Sequence, residues 1–153
     1  GVRRLLYDSG FPGMKVIQFA FDSREESDYL PHNYEKNCVV YTGTHDNDTL
    51  CGWYKVLDPE DLKLSQKYMN NANTPKRQIH WDFIRLALAS VADLCIIPLQ
   101  DYLGLGSEAR INTPSTLGGN WVWRLRSGSC TKALAKEMKR KTELYERNSV
   151  IEP

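Results

Sequence analysis

The residues best suited to chemistry are His45, Asp46, Asn47 and Asp48: an imidazole, two carboxylates and an amide placed directly after Val39-Val40-Tyr41-Thr42-Gly43-Thr44. An apolar, β-branched run that stops in small, polar and acidic residues is how a strand of a parallel α/β protein delivers its last residues to a site. Three chemistries use such a set. His45 with Asp46 or Asp48 can bind a metal ion. A carboxylate pair can do acid–base work, although one loop rarely supplies both members. Asp46 and His45 can also hydrogen-bond the vicinal hydroxyls of a sugar while charge develops in a transition state. Asp46-Asn47-Asp48 resembles the start of a calcium loop. That pattern, however, needs glycine at its sixth position and glutamate at its twelfth, where Cys51 and Leu57 stand, so calcium binding of this type is excluded. Without chemistry, Asp48 would cap a helix and His45 would fill a turn. Capping is the expectation for Asp48, and function for His45 and Asp46 together.

Other motifs are weaker. Leu103-Gly104-Leu105-Gly106 is only superficially a dinucleotide loop, because Arg110-Ile111-Asn112-Thr113-Pro114 does not continue as a helix. Asn47-Asp48-Thr49 matches a glycosylation sequon and is discounted as short. Trp53, Tyr54, Trp121 and Trp123 can stack on sugar rings or pack in a core, and at each pair one ring at most is expected to be free for ligand. Trp81 is expected in the core. Cys38, Cys51, Cys95 and Cys130 form no CxxC pair, so reduced thiols are expected, Cys38 and Cys95 buried, and no structural zinc.

The elements that must position these groups follow from periodicity and punctuation. Residues 2–8 read as a helix stopped by Ser9-Gly10. Met14 to Phe21 reads as a buried strand broken at Gln18, and Cys38 to Tyr41 as a second. Asp48 is expected to cap a short helix through Trp53 and Tyr54. Asp58-Pro59-Glu60-Asp61 opens a helix that ends near Asn70-Asn71. Thr74-Pro75 opens another, carried by Trp81, Ile84, Leu88 and Val91. Leu94 to Leu99 reads as a third buried strand emptying into Gln100-Asp101-Tyr102. Residues 107–130 read as loop, and 131–147 as a Lys-rich helix with a thin stripe of Leu134, Met138 and Tyr145. Strands separated by helices imply right-handed crossovers and a parallel sheet.

Composition agrees with a globular α/β chain: 41% of the 153 residues are hydrophobic and 25% charged. The net charge of +1 gives no strong field for nucleic acid or a membrane surface, and no apolar run approaches a span. Gly1 rather than Met stands first and helical sequence starts at once, so the chain is expected to be a piece of a longer protein. Three parallel strands cannot close a barrel, which points the same way.

Three longer strings carry a resemblance: PGMKVIQFAF, then VVYTGTHDNDT with Gly52-Trp53, then IIPLQDYLGLGSEARIN with GGNWVWRL. In this order, over about residues 2–126, the sequence resembles the 4-alpha-glucanotransferases (amylomaltase or disproportionating enzyme) of the alpha-amylase clan. The resemblance implies a (β/α)8 TIM barrel of which residues 1–153 form the C-terminal part, with strand six at Met14–Phe21, strand seven at Cys38–Thr42 and strand eight at Leu94–Leu99. It implies a retaining double displacement that moves α-1,4-glucan units onto the 4-hydroxyl of glucose or another glucan. The nucleophilic aspartate and acid/base glutamate of the family would precede residue 1. Asp46 would be the third carboxylate, which stabilises the transition state. His45, Asn120 and Trp121 would bind substrate. The implied partners are α-1,4-glucans, maltooligosaccharides and glucose, with no metal, no other cofactor, no nucleic acid and no membrane. The motifs look more like plant plastid members than bacterial ones, so plastid stroma is expected, with cytoplasm second. Two rivals stand beside this: a metal-dependent hydrolase using His45, Asp46 and Asp48, and a non-catalytic glucan-binding module with Trp53, Trp121 and Trp123 as platforms.

Overall fold

A computed structural model of the chain describes residues 1–148. Helix α1 (Val2–Ser9) leads into strand β1 (Gly13–Val16), and strand β2 (Cys38–Tyr41) follows a loop. Helices α2 (Leu50–Lys55), α3 (Pro59–Met69) and α4 (Ile79–Leu88) separate β2 from strand β3 (Leu94–Ile96). Helix α5 (Leu99–Tyr102) and helix α6 (Lys132–Leu144) complete the order. The three strands form one parallel sheet in the order β1-β2-β3, with Val16 opposite Tyr41 and Tyr41 opposite Ile96. The expected α/β class and parallel sheet are therefore present.

The register sorts side chains by face. Cys38, Val40 and Cys95 point to the helical side, where Cys38 and Val40 are buried. That side meets α4, whose Ile79, Phe83, Ile84, Ala87 and Leu88 recur at helical spacing and are buried. Phe83 is the centre: the rings of Phe21, Trp53 and Tyr54 lie 5.8, 5.3 and 5.9 Å from it, all near edge-to-face. Met14, Leu94 and Ile96 occupy the opposite face and are exposed, Leu94 by 51%. The expected third buried strand is thus covered on one face only by the described residues.

Several boundaries differ from the sequence expectation, each for a local reason. The strand expected to reach Phe21 stops at Val16, where Ile17–Phe19 forms a 3-10 turn. The turn carries Gln18 beneath loop 43–49, and its Nε2 donates to the Asp48 carbonyl oxygen at 2.7 Å. Strand β3 stops at Ile96 because Pro98 lacks an N–H for the ladder and starts α5 instead. Thr49, not Asp48, caps α2: its Oγ1 accepts the Gly52 N–H at 3.1 Å. The expected Asp58 cap and Pro59 start are present, and α3 ends at Asn70 in the left-handed region. Helix α4 ends at Leu88, so Val91 lies beyond it and is exposed, whereas the expectation had Val91 on its apolar stripe. Trp81 is half-buried rather than central, with Lys141 Nζ 5.0 Å from its ring centroid. Helix α6 begins at the Thr131 cap and ends at Leu144, and Arg147 beyond it donates to the carbonyls of Leu88, Ser90 and Ala92. All four cysteines are free; Cys38 is buried, while Cys95 is only half-buried.

Candidate active site

The C-terminal ends of the three parallel strands open into one cleft of about 550 Å³. Its walls are Met14, Tyr41 and Ile96 from the strands, loop 43–49, and residues of the chain after β3, among them Gln100, Asp101 and Arg110. A pocket of this size with a few convergent polar groups at strand ends suits a small-molecule or sugar site.

His45 and Asp46 stand at its mouth. His45 Nε2 lies 3.4 Å from Asp46 Oδ1, and both side chains are about half exposed. The pair is gripped from the segment after β3. Asn112 Nδ2 donates to Asp46 Oδ1 at 2.6 Å, and Arg110 donates to the Asp46 carbonyl at 2.7 Å. The Asn112 N–H donates to the His45 carbonyl at 3.2 Å. Asp46 is thereby presented as an oriented carboxylate on a fixed backbone, which suits stabilisation of positive charge on a ligand.

Trp121 joins this group: its ring lies 5.1 Å from the His45 imidazole, tilted 36°, and it is 56% exposed. Its backbone adopts φ 63°, and its N–H donates to the Ile111 carbonyl at 2.7 Å. Asn120 lies beside it with its amide occupied by its own loop. Oδ1 accepts the Thr113 N–H at 2.9 Å, and Nδ2 donates to Thr116 Oγ1 at 3.1 Å. Trp53 and Tyr54 pack around Phe83 instead, so that pair serves the core.

Asp48 also lines the cleft, half-buried, but both of its carboxylate oxygens are bound by neighbouring residues. Oδ1 accepts the Thr49 N–H at 2.7 Å and Oδ2 accepts the Ser107 hydroxyl at 2.6 Å. Gly52 makes room: a Cβ there would lie 2.6 Å from both Asp48 carboxylate oxygens. At Gly43 a Cβ would lie 2.6 Å from Gln18 Nε2, so a side chain there would push that amide off the Asp48 carbonyl. The described residues contain no group of three His, Cys, Asp or Glu side chains placed to hold a metal ion.

Asp101 has no assigned role in the sequence reading, yet it is the most deeply placed carboxylate of the site, 2% exposed. Oδ2 accepts the Thr42 hydroxyl at 2.5 Å and Oδ1 accepts the Leu50 N–H at 2.8 Å. Burial pushes its carboxyl up to about 6, opposed by those two hydrogen bonds and reinforced by the Asp48 charge. Its partners are 59 and 51 residues away in sequence, so no local spacing could have flagged it. Arg110 and Asn112 were missed for the same reason.

Residues 1–131 match the family model described as 4-alpha-glucanotransferase. The chain is 49% identical over 140 residues to the 4-alpha-glucanotransferase of Clostridium butyricum, covering 91% of this chain and 28% of that protein. It is 48% identical over 135 residues to the chloroplastic/amyloplastic 4-alpha-glucanotransferase of Arabidopsis thaliana, covering 88% of this chain and 23% of that one. The fold superposes on the amylomaltase from Streptococcus agalactiae in complex with acarbose, with a TM-score of 0.89 and 37% identity, over 97% of this chain and 30% of that one. The chain belongs to the 4-alpha-glucanotransferase family. It spans about a quarter of the length of the curated relatives it matches.

Proposed function

We propose that residues 1–153 supply strands six to eight of a (β/α)8 barrel, as the C-terminal part of a single catalytic domain, and that the complete enzyme is a 4-alpha-glucanotransferase. The sheet supports the barrel: β1, β2 and β3 are parallel and consecutive, helices cover one face, and the other face carries exposed Met14, Leu94 and Ile96. In a barrel that face would be the packed interior.

The observation that carries the function is the His45–Asp46 pair at the exit of β2, oriented by Arg110 and Asn112 and flanked by the exposed Trp121 ring. In the proposed mechanism a nucleophilic aspartate outside this chain attacks the anomeric carbon, and a glutamate, also outside it, protonates the leaving oxygen. The glycosyl-enzyme is then captured by the 4-hydroxyl of glucose or of another glucan, the glutamate now acting as base. Asp46 stabilises the oxocarbenium-like charge through the hydroxyls of the sugar at the cleavage point, and His45 binds those same hydroxyls. Trp121 offers its indole to a pyranose face. Asn120 contributes through its loop, setting where Trp121 stands. The substrates are α-1,4-glucans and maltooligosaccharides, with glucose as an acceptor.

The plastid stroma is the proposed compartment, supported by the plant relatives; bacterial relatives are equally similar, and fractionation of the source cell decides. The functional test is incubation of the complete enzyme with maltotriose. Glucose and longer dextrins should form together, and hydrolysis without longer products would overturn the transferase reading. The 153-residue chain alone should show neither.

A further inference from the structure

One buried carboxylate holds both ends of the loop that carries His45 and Asp46. Thr42 is the last residue before loop 43–49 and Leu50 the first after it. Asp101 accepts a hydrogen bond from each, from the Thr42 hydroxyl at 2.5 Å and from the Leu50 N–H at 2.8 Å. Thr42 and Leu50 are themselves fully buried, so this closure is out of water.

Asp101 is fixed in turn by α5, where its N–H donates to the Pro98 carbonyl at 3.0 Å and its carbonyl accepts from Gly104 at 3.1 Å. The neighbouring Gln100 carbonyl accepts the Leu105 N–H at 3.0 Å, which leads the chain toward Arg110 and Asn112. The segment after β3 therefore grips the loop twice. Arg110 and Asn112 hold its exposed crest, and Asp101 holds its buried base.

We propose that Asp101 is a positioning residue for the transfer reaction, a clamp that sets the height and tilt of His45–Asp46 above the cleft by closing loop 43–49 across Thr42 and Leu50. A shared acceptor suits this task better than two separate ones. Its two oxygens are rigidly linked, so the ends of the loop cannot drift apart without breaking a buried hydrogen bond. The carboxylate can accept at both oxygens at once, whereas an amide offers one acceptor and one donor face. Asp101 acts through the loop and need not touch substrate. The role presupposes the glucanotransferase activity proposed above.

The test uses the complete enzyme with Asp101→Asn, Thr42→Val, their double variant and Thr42→Ser. Two measurements are made: backbone amide exchange over peptides spanning 43–50, and kcat and KM on maltotriose. Thr42→Val should speed exchange in 43–50 about tenfold, the scale of one lost net hydrogen bond, with α3 and α4 unchanged; Asp101→Asn should speed it less, because its amide oxygen can accept the Leu50 N–H while its NH2 donates to the Thr42 hydroxyl. The value of kcat should fall about 10- to 100-fold, as expected for small displacement of a catalytic group, while KM moves less. The double variant should be worse than either single, because valine at 42 leaves the introduced amide without an acceptor. Thr42→Ser keeps the hydroxyl and should keep wild-type values. Native exchange in 43–50, acceleration spread over the whole sheet, or an effect confined to KM would each overturn the clamp. Should the wild-type enzyme show no glucan transfer, the functional reading fails, and the exchange data still decide the clamp.

Discussion

Asp46 and Asp101 each follow a parallel strand by a few residues, and the fold puts them to opposite uses. Asp46 leaves β2 at the crest of a loop, 49% exposed, with Oδ1 bound by Asn112. Asp101 leaves β3 inside α5, 2% exposed, with both oxygens occupied by the protein. One carboxylate is open to the cleft; both oxygens of the other are taken up at the two ends of the loop that carries the first. Position after a strand is therefore not enough to name a catalytic acid, and burial with partner count separates the two. Changes at Asp46 should cost activity and spare the fold, and removal of the Asp101 side chain should cost stability as well as activity.

The largest expected effect is at Asp46. Asp46→Asn keeps shape and the Asn112 contact but removes the charge. Turnover of the complete enzyme should fall about 10²- to 10⁴-fold, the range for loss of a group acting on transition-state charge. The thermal midpoint should move little, because the side chain is half exposed. Turnover near wild type would remove Asp46 from the catalytic group.

Asp101→Ala is next. It leaves the Thr42 hydroxyl and Leu50 N–H buried without an acceptor and opens a small cavity. The chain should lose about 3–5 kcal/mol of stability in denaturant unfolding. A loss below about 1 kcal/mol, the level of a surface substitution, would place Asp101 on the same footing as Asp46.

The contrast also explains what was legible in the sequence. Asp46 stood out because its neighbours in sequence are its neighbours in space: an apolar strand, then Thr-His-Asp. The strand cores, the Asp58-Pro59 helix start and the α4 stripe at Phe83, Ile84 and Leu88 were readable for the same local reason. Asp101 depends on Thr42 and Leu50, which only the sheet brings near, so no window of sequence holds the pattern. The Asp48 cap was misread because Thr49 and Asp48 are both good N-cap residues, and the Ser107 hydroxyl, from a distant turn, takes Asp48 out of competition. The buried third strand was misread because an apolar run reports hydrophobicity and not which layer covers it.

Acidity gives a third, intermediate effect. The Asp101 carboxyl sits at about 6 in the fold, against about 3.9 in an unfolded chain. Between those values the folded state holds a proton that the unfolded state has released, so stability from this group falls as pH rises from 4 to 6. The sign is opposite to that of an exposed paired carboxylate such as Glu137, held at about 2 by Arg140 and Lys141. The swing is on the order of 3 kcal/mol. The thermal midpoint of wild type relative to Asp101→Asn should therefore rise as pH is lowered from 6 to 4, while groups common to both cancel. A constant difference would mean that Asp101 titrates normally.

Asn112→Ala carries the smallest stability effect and divides the two regions most sharply. Its bond to Asp46 Oδ1, 2.6 Å, falls between the 2.5 and 2.8 Å of Asp101's two, but it lies at an exposed crest where water can replace it. Stability should change by no more than about 0.5 kcal/mol, as for a surface substitution. Activity should still fall, because Asp46 would lose a donor that orients its carboxylate, while the backbone N–H of residue 112 keeps its bond to the His45 carbonyl. If Asn112→Ala destabilised the fold as strongly as Asp101→Ala, the crest of loop 43–49 would be as much a part of the packed structure as its base. Asp46 could then no longer be treated as a group the fold merely displays.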